Sequence, residues 1–208
     1  MLDIHKLMAS LSAYRPVFHS EADFQHALAW HIHETIPESE IRLEFPVRTD
    51  EQNSKYLDIW LSKEQVAIEL KYFSTKLELN QGGETYRLKE HAATDLARKF
   101  FVQDVERLER LVQNEKHTAK AGFAVILTNC PLLWYANRGW RKRNDVNFRI
   151  HEGRRLAGKL VWLKDGQPYE GEVPVQLCGA YDIQWHDYWT FPEEVRGHFR
   201  YLAVSVEP

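Results

Sequence analysis

The chain has 208 residues and is 44% hydrophobic, with seven Trp, nine Tyr and ten Phe; a chain of this size buries well over half of its unfolded surface, which excludes a disordered or fibrous polymer and removes any need for disulfides or a structural metal. Lys and Arg number 27 against 30 Asp and Glu, a net charge of −3. Positions 138–159 nevertheless hold eight basic residues against Asp145 and Glu152, a local +6 that leaves −9 elsewhere, so one basic stretch sits on an acidic body and a polycation that coats nucleic acid indiscriminately is excluded.

No apolar run reaches the ~18 residues of a membrane span, and residues 1–20 lack a signal-peptide core, so a soluble, cytoplasmic protein is expected. Cys130 and Cys178 show no C-x-x-C spacing and read as reduced core thiols. Ser20 followed by Glu21-Ala22-Asp23 is an N-cap with an acidic first turn, and Phe24, Ala27, Leu28, His31 and Ile32 recur at helical spacing, predicting a helix over 21–35 that ends before Pro37. Ile41, Leu43, Phe45 and Val47 alternate as in a strand. Tyr56–Leu61 and Gln65–Phe73 alternate too, joined by the polar Ser62-Lys63-Glu64. Leu77 and Leu79, then Tyr86 and Leu88, flank Asn80-Gln81-Gly82-Gly83, a hairpin signal.

Ala97, Phe101, Val105, Leu108 and Val112 form the apolar stripe of a long helix over about 91–116. Gly122–Thr128 is a continuous apolar run, the pattern of a buried strand. Pro131–Asn137 suits a short helix; Leu160–Leu163, Val173–Gln184 and Tyr201–Val206 predict a strand-rich C-terminal part. Seven aromatics between Tyr181 and Tyr201 read as core packing or an interface. The order of elements is that of one mixed α/β domain over 1–208.

The informative stretch is Tyr56–Tyr72. Alternation puts Leu57, Ile59 and Leu61 on one face of the first strand and Tyr56, Asp58 and Trp60 on the other; in the second strand Ala67, Glu69 and Lys71 share a face. A hairpin centred on Lys63-Glu64 places Asp58 opposite Glu69, with Lys71 one step along. Two carboxylates ~5 Å apart repel by about 3 kcal/mol at an effective dielectric near 20. A divalent cation reverses that sign, since Mg²⁺ takes hard oxygen ligands, and the lysine can act on an attacking water or on developing negative charge. Charged groups on a solvated hairpin face, with Lys71 as their surface partner, fit the same pattern.

Asp58, ten residues, then Glu69-Leu70-Lys71 resembles the D-x(n)-(D/E)-x-K signature of the PD-(D/E)xK, or restriction-endonuclease-like, nucleases, and helix–three strands–helix–strand is similar to that family's core. The resemblance spans about residues 20–129. It implies a mixed central sheet flanked by helices, here with a strand-rich C-terminal extension over 130–208. It also implies Asp58, Glu69 and the Leu70 carbonyl as ligands of Mg²⁺, for which Mn²⁺ can substitute, and Lys71 as the group that positions water and stabilises the pentavalent phosphate. Leu57 stands where the family's name has Pro. Glu21 occupies the place of the acidic residue that many members add on the first helix; a glutamate favoured by the helix dipole explains it equally. Glu44 reads as solvated.

The basic stretch interleaves Trp140, Phe148 and His151 with Arg138, Arg141, Lys142, Arg143 and Arg149, which suits contact with phosphates and bases; a solvated loop suits it as well. Ten histidines supply no H-E-x-x-H and no i, i+4 pair on the first predicted helix, so no zinc site is expected. The expected function is therefore a Mg²⁺-dependent nuclease acting on nucleic acid, DNA by the resemblance, with a homodimer as the natural cutter of both strands. A non-catalytic nucleic-acid- or protein-binding module on the same fold is the rival reading, and a small-molecule Mg²⁺ hydrolase lacks a nucleotide-binding loop.

Overall fold

A six-stranded sheet is the centre of the computed structural model, which describes residues 2–48, 54–113, 119–136 and 143–208. The N-terminal elements are α1 (Ile4–Tyr14), α2 (Glu21–Thr35), β1 (Ile41–Arg48), β2 (Ser54–Leu61) and β3 (Val66–Phe73), followed by the β4 (Leu77–Gln81) and β5 (Glu84–Leu88) hairpin. Then come α3 (Thr94–Gln113), β6 (Ala121–Thr128) and the short α4 (Pro131–Trp134). After a 3₁₀ turn at Val146–Phe148, the chain forms β7 (Arg155–Leu160), β8 (Leu163–Lys164), β9 (Gln167–Pro168), β10 (Val175–Asp182), β11 (Trp185–Thr190) and β12 (His198–Val206). The central sheet has the order β1-β2-β3-β6-β12-β11, and neighbours pair antiparallel except β3 with β6. A parallel pair needs a crossover, and the β4–β5 hairpin plus α3 supply it. The result is an α/β domain with a mixed sheet.

Local chemistry accounts for the boundaries. Ser20 caps α2 through its side-chain oxygen, which accepts from the Asp23 N–H, and Asp3 caps α1 in the same way through Lys6. Gly82 and Gly83, at φ of +62° and +82°, close the β4–β5 turn in the left-handed region that glycine enters without a Cβ penalty. The C-terminal strands divide: β7 pairs with β10 and β8 with β9 in separate ribbons, whereas β11 and β12 extend the central sheet beyond β6.

Two cores sandwich the sheet. On one side α1 and α2 cover Ile59, Leu61, Ile68, Leu70, Tyr72, Phe123 and Val125. On the other, α3 covers Leu57, Ala67, Ala124 and Ile126. Leu57 thus does not share a face with Ile59 and Leu61 as strict alternation predicts. Its neighbour across the ladder behaves likewise: Ile41 packs with the first core, Phe45 with the second. The reversal falls at Glu44, whose φ of +48° is a strained value for a residue with a side chain. The β1–β2 register is the same before and after, with Leu43 against Ile59 and Phe45 against Leu57, so both strands turn over together at Glu44 and Asp58. Cys130 is buried but Cys178 is exposed, because β10 alternates and Cys178 falls on its outer face. Of the late aromatics, Trp185, Tyr188, Phe199 and Tyr201 are core residues. Among the described residues no helix is long and apolar enough to cross a membrane.

Candidate active site

The β2–β3 hairpin has the register expected from the sequence: Leu61 pairs with Val66, Trp60 with Ala67 and Ile59 with Ile68. The ladder stops there, one step short of the expected Asp58–Glu69 pair. In place of a ladder bond, the Asp58 carboxylate Oδ2 accepts the Leu70 N–H at 2.5 Å. The turnover of β2 accounts for this, since it leaves the Asp58 backbone facing away from β3. Gln25 of α2 holds that backbone: its Nε2 donates to the Asp58 carbonyl at 2.7 Å and to Glu44 Oε1 at 2.8 Å. Glu44 is exposed, as read, but hydrogen-bonded.

Asp58, Glu69 and Lys71 line one polar cleft of about 340 Å³ between the hairpin and α3, together with Lys55, Asp104 and Arg107. The last two come from α3 and carry no mark in the sequence motif. Arg107 forms an ion pair with Glu69 and sits 3.0 Å from Asp104, and Asp104 lies 3.1 Å from the Lys71 ammonium. Lys71 also donates to the Leu70 carbonyl at 3.0 Å. The sequence did hold a signal for both: Asp104 falls between Phe101 and Val105 on the apolar stripe of α3, where a carboxylate needs a buried partner.

Burial sets the electrostatics. Glu69 is only 2% exposed, and desolvation pushes its carboxyl up to about 9 against the pull of Arg107, with Asp104 and Asp58 adding repulsion. Its Oε1 is buried with no hydrogen-bond partner. Desolvation also raises Asp58, opposed by the Leu70 N–H and by Lys71. For Lys71, burial favours the neutral amine, but Asp104, Glu21 and Asp58 outweigh it and hold the ammonium above its ordinary range. Lys71 is therefore a fixed cation and a donor, not a base.

Glu21 stands at the start of α2 and turns its carboxylate to the strand, where Oε2 accepts the Tyr72 N–H at 2.8 Å. Desolvation raises its pKa and Lys71 counteracts. Among the described residues no three His, Cys, Asp or Glu side chains gather as a metal-ligand set. A two-carboxylate arrangement is what the cleft offers: Glu69 Oε1, the Asp58 carboxylate and the Leu70 carbonyl are hard oxygens of the kind Mg²⁺ takes. An orphaned carboxylate oxygen in the interior is a costly feature that a cation would relieve.

The basic stretch divides. Arg138, Arg141 and Lys142 lie outside the described residues. Arg143 is exposed. Arg149 is not available to phosphate: its side chain is 12% exposed and 3.1 Å from Asp145, which also pairs with the buried Arg98 of α3. Asp145 draws both guanidiniums inward to anchor the 3₁₀ turn, a role the charge count could not separate from a solvated one. His31, one of the helical histidines, is buried against Ser10, with 2.6 Å between Nε2 and Oγ.

Comparison of the chain with protein-family models, with curated proteins and with solved structures found no match.

Proposed function

We propose that this chain is a Mg²⁺-dependent nuclease of the PD-(D/E)xK, restriction-endonuclease-like, kind, hydrolysing phosphodiester bonds in DNA. The observation that carries this reading is one cleft holding Asp58, Glu69 and Lys71 at the mouth of a paired hairpin, with a buried carboxylate oxygen left unpartnered. Asp58, Glu69 and the Leu70 carbonyl would hold the cation, which supplies charge neutralisation at the scissile phosphate and a more acidic water. Lys71, kept protonated by its acidic neighbours, donates to the attacking water or to a phosphoryl oxygen and offsets charge that grows in the transition state. Asp104 orients that ammonium. Arg107, with five donors, can pass from Glu69 to a phosphate oxygen in the same cleft. Gln25 and the Leu70 N–H fix Asp58 from behind. Cleavage of both strands would call for a two-fold pair of such clefts.

One observation favours the second reading, a non-catalytic nucleic-acid-binding module. Arg107 already lies against Glu69, and Asp104 against Lys71, so the polar groups of the cleft have partners without an ion. Incubation with linear, branched and single-stranded DNA in Mg²⁺, Mn²⁺ or EDTA decides between them. Cleavage in either ion and none in EDTA is the expected result; binding without cleavage in both ions gives the module.

A further inference from the structure

Two more hollows adjoin the carboxylate cleft. The first, about 380 Å³, shares Lys71 and Phe100 with it. The second, about 390 Å³, shares Glu21, Tyr72 and His91 with the first. All three therefore run along the C-terminal half of β3 as one trough. Their chemistry changes along the way. The cleft has matched acids and bases. The middle hollow is floored by α3, where Leu96 and Phe100 are exposed at 39% and 47%, large values for apolar side chains beside a charged site.

The far hollow lies under the β4–β5 hairpin and carries Arg87 and Lys89 against the single acid Glu21. Lys89 makes no ion pair among the described residues, and Arg87 meets only the surface carboxylate of Glu78 at 3.2 Å. His91 adds a neutral donor. Its Nδ1 accepts the Ser74 N–H at 3.0 Å, so the ring proton must sit on Nε2. Ser74 follows Lys71 by three residues, roughly 10 Å along an extended strand. Successive phosphates of one stacked nucleic-acid strand are spaced by ~3.4 Å along the axis. His91, bonded to Ser74, and Lys71 thus lie within about three nucleotides of each other along the trough.

We propose that Arg87, Lys89 and His91 form a phosphate subsite for one unpaired nucleic-acid strand, neighbouring the phosphate held beside Lys71, and that a base between the two stacks on Phe100. This rests on the nuclease reading of the cleft and adds a preference to it: the substrate is single-stranded, or frayed where it enters the trough. Cation excess at the far end matches the strand's charge, and an exposed ring matches a base whose faces are free. A duplex keeps its bases stacked and offers Phe100 nothing.

The test is binding in EDTA, read by fluorescence anisotropy with a labelled oligo(dT) and with a duplex of the same length. Arg87→Ala/Lys89→Ala should weaken oligo(dT) binding on the order of tenfold at low salt and lower the salt slope by ~1–2. Phe100→Ala should weaken oligo(dT) on the order of tenfold with the slope kept and duplex binding unchanged. All three side chains are solvent-facing, so the variants should melt with the wild type. Unchanged affinity and slope in the double variant, or wild type that binds no oligo(dT), overturns the subsite. The nuclease reading fails separately: variants that lose binding in a protein that never cleaves would keep the subsite and discard the enzyme.

Discussion

Glu69→Gln offers the sharpest test of the electrostatics. The Glu69 carboxyl rises from an ordinary 4.5 to about 9 on folding. Between those values the folded protein keeps a proton that the unfolded chain has released. The unfolded state then binds fewer protons, so stability falls as pH rises through this window. At ~1.4 kcal/mol per pH unit, wild type loses about 3 kcal/mol between pH 4.5 and pH 7 from this group alone. Glutamine cannot ionise and is spared the loss. Its buried amide adds a fixed penalty of about 1–3 kcal/mol that does not vary with pH, and Arg107 retains Asp104 as a partner. The variant should therefore gain about 3 kcal/mol on wild type over that interval, or roughly 6–12 °C in melting temperature for a chain of this length. Urea or thermal denaturation in EDTA at half-unit steps from pH 4.5 to 8 measures it. Parallel curves, or a variant that loses stability relative to wild type as pH rises, would refute the claim that Glu69 is a buried carboxyl with a raised pKa.

Lys71→Ala should lower the cleavage rate by ~10²–10⁴ while leaving the Mg²⁺-induced rise in melting temperature in place, because its ammonium acts on water and transition-state charge; cleavage kinetics and a melting titration read the two effects separately. Asp58→Asn should raise the metal-free melting temperature, since the charged form is disfavoured by burial, and should abolish the stabilisation by Mg²⁺ that mass action gives wild type. Gln25→Ala should cost about 1–3 kcal/mol by leaving the partly buried Asp58 carbonyl unpaired. The same change should lower kcat with oligonucleotide affinity intact, a split that steady-state kinetics with anisotropy resolves.

The sequence spoke most clearly where one residue type does one job. Ser20 and Pro37 bracket α2, Gly82-Gly83 closes a hairpin, and the polar turn at 62–64 sets the β2–β3 register. The candidate cleft was half legible. Asp58, Glu69 and Lys71 are spaced by their own hairpin, so local alternation brings them together. Asp104 and Arg107 arrive from α3 across the sheet, and alternation within a hairpin carries no information about what packs over it. The signal of α1, Asp3 before an Ile4-Leu7-Met8-Leu11 stripe, was available in the residues. The face of Leu57 was not. It depends on a backbone reversal at Glu44, a residue with no intrinsic preference for that conformation. Arg149 shows the converse limit, since a charge count cannot tell an arginine that waits for phosphate from one already bound to Asp145.

The joint turnover of β1 and β2 bears on how the two strands stay aligned. In an ordinary antiparallel pair a slip of two residues keeps every side chain on its own face, so sliding is resisted mainly by the connecting turn. Here the outer halves of both strands belong to one core and the inner halves to the other. Any slip, even or odd, would put a reversed segment against an unreversed one and strand apolar side chains in the wrong layer. The crossing point at Glu44 and Asp58 acts as a detent that fixes the ladder from within. Changes in the length of chain joining β1 to β2 should then leave Asp58 at its place in the cleft.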